Sequence, residues 1–269
     1  MRQNRLKMPP KPMNKAPVSD NLPPVAIPNT ELRMSFFDHL DELRRRLMWA
    51  FFSLIIGTVA GMFFAEAVLR YLVSPYSEQL VVLGPTGSVV TYFRVALMIG
   101  GIIGFPMILY QILLFVLPGL RPKEKRILMF SLPPIMILFL IGVAFAWFIL
   151  VPPAVGFLSG FQTDIFRPEW TADQYIGFIT ALLFWMGAAF ELPLLMFVLA
   201  LLGLVSAGLL VRQWRIAIVL TAVASAVITP TVDPINMMLV MGPLLGLYVI
   251  SIFLVIIGRR INTPPETTA

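Results

Sequence analysis

The chain has 269 residues, of which 58% are hydrophobic and 13% charged, and its formal net charge is +6. A soluble domain of this length cannot bury so large an apolar share, so the composition predicts a polytopic membrane protein. Cysteine is absent and histidine occurs once, which excludes disulfide frameworks, thiolate metal sites and multi-histidine sites.

The chain begins with a basic, proline-rich segment. Residues 1–33 contain seven prolines and scattered arginines and lysines, without the apolar stretch of a signal peptide. Such a composition cannot bury a core, so we predict a disordered tail.

Six apolar runs follow, each approaching the ~20 residues that a helix needs to cross a bilayer. They are 48–65, 92–117, 127–151, 174–203, 214–228 and 235–257. We therefore predict an all-α membrane domain over residues 34–258, with six transmembrane helices and a short tail at 259–269. We also expect Pro243, beside Gly242, to break the last helix.

The basic residues are distributed unequally between the two ends of these runs. One side collects the N-terminus, the 118–126 and 204–213 turns and the C-terminus, and with them most of the arginines and lysines. The other side holds Arg70, Arg94 and Arg167. The positive-inside rule then makes both termini cytoplasmic and explains the net charge without a nucleic-acid partner. Long outer segments rich in proline and aromatic residues, 66–91 and 152–173, predict ordered outer loops.

A carboxylate stands among three arginines at the start of the first run, in the segment His39-Leu40-Asp41-Glu42-Leu43-Arg44-Arg45-Arg46-Leu47. Acids contribute little to topology, so Glu42 requires another explanation. One reading is an (i, i+4) pair with Arg46, worth a few tenths of a kcal/mol; the other is recognition of a ligand. We expect Arg45 and Arg46 to anchor the helix at the membrane surface, with Arg44 closer to the apolar face.

A second acid, Glu124, lies among cations in the turn that ends the second run, on the same side of the membrane. A carboxylate accepts a guanidinium through two parallel hydrogen bonds. Two carboxylates at one opening therefore suit a ligand with two arginines. A solvated charge that neutralises its neighbours is the alternative for Glu124 alone.

A third acid, Glu191, falls near the middle of the fourth apolar run, two residues before Pro193. A charged group there is costly, so it is either protonated and bonded to a neighbouring helix or turned toward a polar cavity. Pro193 predicts a kink nearby. Gln111, at the inner end of the second run, also needs a polar partner.

For two positions on the outer side, the sequence favours a role in local structure. Asp233 and Pro234 fit a helix N-cap followed by proline at the first position, and Ser74-Pro75 fits a rigid turn. No nucleotide-binding, metalloprotease or nucleophile-elbow motif occurs in the chain, so the sequence predicts neither an enzyme nor a bound cofactor.

Together these stretches resemble the TatC subunit of the twin-arginine protein translocase, in order and over about residues 35 to 257. The matching segments are 39–47, Ser74-Pro75, 109–118, Glu124-Lys125-Arg126, 142–148, Phe190-Glu191-Leu192-Pro193, and Thr229-Pro230 with Asp233.

The resemblance implies a concave six-helix bundle that binds twin-arginine signal peptides of folded export substrates. It also implies assembly with the single-span proteins TatA and TatB, self-association in a larger complex, and transport driven by the proton-motive force across the prokaryotic cytoplasmic membrane. The signal-peptide residues it implies are Glu42, Arg44, Phe115, Lys123, Glu124 and Arg126.

Further roles follow from the same resemblance. Glu191, with Gln111, would line an intramembrane cavity; Pro75 and Asp233 would act in assembly; and the fifth and sixth spans would dock the partners. An alternative from the residues alone is a proton-coupled small-molecule transporter that uses Glu191 as its carrier.

Overall fold

The structure is a computed structural model that describes residues 36–76, 79–116, 122–165, 169–229 and 233–262. Its helices are α1 (Phe36–Val73), α2 (Gly87–Val116), α3 (Pro122–Phe145), α4 (Val151–Gly160), α5 (Ala172–Phe190), α6 (Leu192–Leu201), α7 (Ala207–Arg212), α8 (Trp214–Ile228) and α9 (Pro234–Asn262). Within these ranges β-type pairing is limited to an isolated bridge between Val81 and Thr171. The predicted all-α fold is confirmed.

Five helical stretches in the described ranges are long and apolar enough to cross a membrane: His39–Val73, Gly87–Phe115, Pro133–Gly160, Ala172–Leu201 and Pro234–Arg259. The remaining predicted run forms α8, an apolar helix of 15 residues. It is about 22 Å long, against a hydrocarbon core of about 30 Å. The count of six spans therefore stays a prediction.

The third span continues beyond its predicted end at residue 151. A π-helical turn, Ala146–Leu150, joins α3 to α4 and ends with the Val151 N–H donating to the Ala146 carbonyl. Pro152 and Pro153 follow, and neither has a backbone N–H to donate. The wider turn shifts the hydrogen-bond register just before them, so the helix extends to Gly160.

The predicted break at Pro243 is wrong, because α9 runs without interruption from Pro234 to Asn262. Membrane helices accommodate an internal proline by local adjustment and by packing on neighbouring helices. α9 has such neighbours in α6 and α8. Near Pro193, where a kink is predicted, the helix is interrupted, since α5 ends at Phe190 and α6 begins at Leu192.

Small residues bring α1 and α2 into close antiparallel contact. Gly57 faces Gly100, and Gly61 faces Ala96. A Cβ atom at Gly57 would lie 2.5 Å from the Gly100 carbonyl oxygen, and one at Gly61 would lie 2.5 Å from the Ala96 carbonyl oxygen. Both pairs follow the four-residue spacing by which small side chains let membrane helices approach.

The helices form two groups that pack mainly within themselves. α5 is central to the first group, in which it contacts α2, α3 and the π-helical turn; α6 and α8 pack on α9 in the second. The groups meet where Ile228, Val240 and Leu244 join the buried cluster around α5. Within the bilayer they are connected covalently through Glu191.

The outer loops are held together by aromatic residues. The indole N–H of Trp147 donates to the Tyr71 hydroxyl at 2.9 Å, and the rings of Tyr76 and Trp170 stack with centroids 5.3 Å apart. Backbone hydrogen bonds beside the Val81–Thr171 bridge tie the same two loops together. The described parts of the two outer loops are therefore joined to each other, as expected from the sequence.

Replacing Gly100 with alanine should destabilise the protein, because the new methyl group meets the backbone of Thr58. Overpacking of this kind costs on the order of 1–3 kcal/mol. Thermal unfolding in detergent, followed by helical circular dichroism, measures it. Gly246→Ala is the matched control, since a Cβ atom there has nothing within 4 Å; equal midpoints for the two variants would contradict the contact.

Tyr175→Phe should also lower the unfolding midpoint, by the equivalent of about 1 kcal/mol. The Tyr175 hydroxyl is buried and donates to the Leu72 carbonyl oxygen at 2.9 Å, linking α5 to the end of α1. Tyr110→Phe removes a hydroxyl with no hydrogen bond among the described residues and should leave the midpoint unchanged in the same assay.

Candidate functional site

The candidate site lies at the membrane side on which α1 begins, hereafter the N side. Because α1 and α2 are antiparallel, the start of α1 meets the end of α2 there. The Arg46 side chain contacts Gln111 although 65 positions separate them in the sequence. α3 begins on the same side, at Pro122.

Three polar side chains form a bonded cluster across α1 and α2. Arg46 Nη2 donates to Glu42 Oε1 at 3.2 Å, and Arg46 Nη1 donates to Gln111 Oε1 at 3.2 Å. Gln111 is buried, with 5% of its surface exposed, and its amide nitrogen lies 3.8 Å from the sulfur of Met107. Arg46 thus satisfies the amide that the sequence predicted to need a partner.

The ion pair in this cluster is incomplete. Glu42 Oε2 and Arg46 Nε are both buried and have no hydrogen-bond partner among the described residues. The Glu42 side chain is 18% exposed and that of Arg46 28%, so both are largely shielded from water. Glu42 can therefore accept a further donor at Oε2.

The (i, i+4) bond between Glu42 and Arg46 that the sequence offered as one reading is thus formed. The expectation that Arg46 anchors the helix at the membrane surface is wrong, because its guanidinium turns inward to α2. Sequence reasoning also left His39 out of the site. Its ring stacks on that of Phe115 with centroids 4.6 Å apart and planes 15° apart, so both lie beside the cluster at the end of α2.

Arg44 lies on the other face of α1 and is exposed. With Arg45 and Asp41 it lines a surface recess of about 360 Å³, whose apolar wall is formed by Met48, Trp49 and Phe52. Arg44 is therefore separated from the Glu42 carboxylate by the width of the helix. In this recess charged groups lie above apolar side chains, the arrangement that long basic side chains adopt at a membrane surface.

Three other predicted residues, Lys123, Glu124 and Arg126, belong to the first turns of α3. Their side chains lie outside the described part of the structure. The backbone of α3 brings these positions to the N side, where α1 and α2 present Glu42 and Phe115.

Glu191 lies away from this cluster, at the joint between α5 and α6, and is 4% exposed. A narrow space of about 10 Å³ beside it is lined otherwise by Leu109, Leu113, Ile135, Leu194, Leu195 and Val198. Neither carboxyl oxygen accepts a hydrogen bond of ordinary geometry from a described residue. The structure places Gln111 with Arg46 and not beside Glu191.

The larger cavity, of about 600 Å³, runs along α5 from Asp173 to Phe184. At its outer end Arg94 pairs with Asp173, with 3.0 Å between Arg94 Nη1 and Asp173 Oδ1. The remaining lining comes from α1, α2, α5 and α8 and is mostly apolar. Sequence reasoning missed this pair, because Arg94 read only as an outer-side cation.

The two outer-side positions adopt the local structures expected of them. Asp233 Oδ1 accepts the Asn236 backbone N–H at 2.7 Å, and Pro234 is the first residue of α9, so the N-cap reading is confirmed. Pro75 is exposed in a turn in which the Tyr76 N–H donates to the Val73 carbonyl at 3.0 Å.

Comparison with known proteins identifies the family. Residues 38–243 match the family model of the Sec-independent protein translocase protein TatC. A TatC protein of Synechocystis sp. is 36% identical over 219 residues, covering 81% of this chain and 86% of that protein. An uncharacterised tatC-like protein, ycf43, of Pyropia yezoensis is 32% identical over 251 residues, covering 93% of this chain and 99% of that protein.

A solved structure agrees with these relatives. The crystal structure of a TatC described as the twin arginine translocase receptor is 36% identical to this chain, with a TM-score of 0.73. The match covers 82% of this chain and 99% of that one. The resemblance predicted from the sequence is thus confirmed over most of the chain.

The family determines the functional class. Its members are membrane components of a protein translocase and not enzymes, and the small-molecule transporter is not favoured. This chain is a member of the TatC family of Sec-independent protein translocase proteins, and it is a core membrane subunit of the Tat translocase.

Proposed function

We propose that this protein is a receptor for the twin-arginine signal peptides of folded export substrates. The observation that carries the proposal is the buried Oε2 of Glu42 at the N side, which has no bonded donor in the described part of the chain, in a member of a family with a structure described as a receptor. A partly desolvated carboxylate with an open acceptor binds a guanidinium more strongly than a fully solvated one does.

In this proposal Glu42 and Glu124 each take one arginine of the signal. Phe115, Lys123 and Arg126 are proposed to lie around them, and Arg44, on the other face of α1, to act from the adjoining surface recess. The Phe115 ring, held by His39, offers an aromatic face on which a guanidinium can stack. The cations keep the site from becoming a general binder of basic segments, because only a ligand that engages both carboxylates overcomes their repulsion.

The apolar segment of the signal would then enter the membrane region near Glu191, with Gln111 at the N-side end of its path. Glu191 supports this role because it is an ionisable group that is 4% exposed and lies among leucine, isoleucine and valine side chains. Such a group is costly for stability alone, and intramembrane acids are usually functional.

The proposed setting is a prokaryotic cytoplasmic membrane with six spans and both termini cytoplasmic, so that the N side faces the cytoplasm. The charge asymmetry of the sequence supports this orientation. Transport would use the proton-motive force, and several copies would associate in the working complex. The 1–33 tail would be a disordered cytoplasmic extension.

TatA and TatB are the proposed partners, and α8 and α9 their docking surface. These two helices leave large apolar side chains exposed, among them Val219, Leu220, Val227, Met238 and Phe253. A single-span helix could cover them. Pro75 and Asp233, which shape the outer ends of the bundle, are proposed to act in this assembly.

Glu42→Gln and Glu124→Gln should each weaken binding of a twin-arginine peptide by at least about tenfold, because a neutral amide replaces the charged acceptor. Fluorescence anisotropy with the full-length protein in nanodiscs measures this. Glu66→Gln is the matched control, since Glu66 pairs with Arg70 in the same (i, i+4) spacing at the other end of α1. Wild-type affinity in both site variants would refute the assignment.

Glu191→Leu should raise the unfolding midpoint while impairing export, because an apolar side chain removes two unbonded buried oxygens. A gain on the order of 1 kcal/mol is expected. Thermal unfolding and an export assay with a folded reporter give the two readouts. If the variant instead lost both stability and export, the carboxyl group would have a structural role.

A further inference from the structure

The Arg46 guanidinium makes one hydrogen bond to a side chain of α1 and one to a side chain of α2, and neither bond is a strong one. Its bonds to Glu42 and Gln111 are both 3.2 Å long, whereas charge-assisted bonds of this type are usually about 2.7–2.9 Å. Each bond uses one terminal nitrogen and one acceptor. Neither acceptor therefore holds the guanidinium in the two-bond geometry it could support.

The atoms needed for that stronger geometry are present and unused. A bidentate pair requires both oxygens of Glu42 and two nitrogens on one edge of the guanidinium. Glu42 Oε2 and Arg46 Nε remain buried without partners in the described residues. With Nη1 bonded to Gln111 and Nη2 to Oε1, the guanidinium lies in a position where Nε and Oε2 do not meet.

We propose that Arg46 is an internal competitor that determines the preference for arginine over lysine at Glu42. This inference rests on the proposed function of Glu42 as a signal-binding carboxylate. In the free protein Arg46 occupies Oε1, and a ligand side chain must displace it or share the carboxylate. Gln111 keeps the displaced guanidinium bonded, since its amide oxygen can accept from a second N–H of Arg46.

The exchange favours a guanidinium for a geometric reason. An incoming arginine makes two parallel bonds to Oε1 and Oε2 and replaces one long bond, so displacement is favourable. An incoming lysine is a point charge that needs no two-oxygen geometry, and it gains little over the arginine it displaces. Competition with Arg46 therefore increases the difference in affinity for Glu42 between an arginine and a lysine ligand.

The inference is tested with peptides that differ only in an Arg-Arg or Lys-Lys pair before an identical apolar segment. Their affinities are compared on the full-length protein in nanodiscs. For Arg46→Gln the Lys-Lys peptide should bind more tightly, and the ratio of the two affinities should fall by roughly tenfold. Arg46→Lys should give an intermediate ratio and provides a conservative variant if the glutamine protein folds poorly.

Arg45→Gln is the matched control. The Arg45 side chain is exposed and lies next to Arg46 in the sequence. Its replacement removes the same positive charge from the same region but leaves the bond between Arg46 and Glu42 in place. Its ratio should equal that of the wild type. Arg-Lys and Lys-Arg peptides then show which arginine meets Glu42, because only one of the two positions should lose discrimination in Arg46→Gln.

Two results would overturn the inference. One is an unchanged ratio in Arg46→Gln and Arg46→Lys; the other is a ratio that falls only because the Arg-Arg peptide binds less well, as expected if Arg46 merely holds the site in shape. Failure of the proposed function is a separate outcome. In that case the wild-type protein would not bind the Arg-Arg peptide, or Glu42→Gln would bind it equally well.

Discussion

The close contact between α1 and α2 sets the position of everything else at the N side. Gly57 and Gly61 lie directly against the backbone of α2, and any larger residue would move the helices apart. This contact fixes the antiparallel register, which brings the start of α1 against the end of α2. This register allows Arg46 to bond to Gln111. It therefore also sets the position in which Arg46 bonds to only one carboxylate oxygen of Glu42.

The membrane inverts the usual logic of an amphipathic helix at this point. In water the leucines of α1 would be buried and its charges exposed. Here Leu47 is 64% exposed, while Glu42 and Arg46 turn toward α2. Lipid accepts the leucines, and the polar groups find partners inside the protein. A polar cluster can therefore form the seam between two helices without an aqueous pocket around it.

Much of this fold was predictable from hydropathy and local chemistry. The 214–228 run has the same bounds as α8, the Asp233 cap is formed, and the helix is interrupted before Pro193. These features depend on a few neighbouring residues. The inward turn of Arg46, the uninterrupted helix at Pro243 and the Arg94–Asp173 pair each depend on a second helix. A single sequence contains no direct information about that neighbour.

The joint at Glu191 has a mechanical consequence. The helices before it pack around α5 and those after it pack mainly on α9, although Leu194 and Leu195 of α6 also pack against the buried cluster of α2 and α3. Glu191 therefore lies where one helical segment gives way to the next, with its carboxyl group among apolar side chains from α2, α3 and α6. Any change in the angle between α5 and α6 would alter the surroundings of this ionisable group before it altered those of the N-side cluster on α1 and α2.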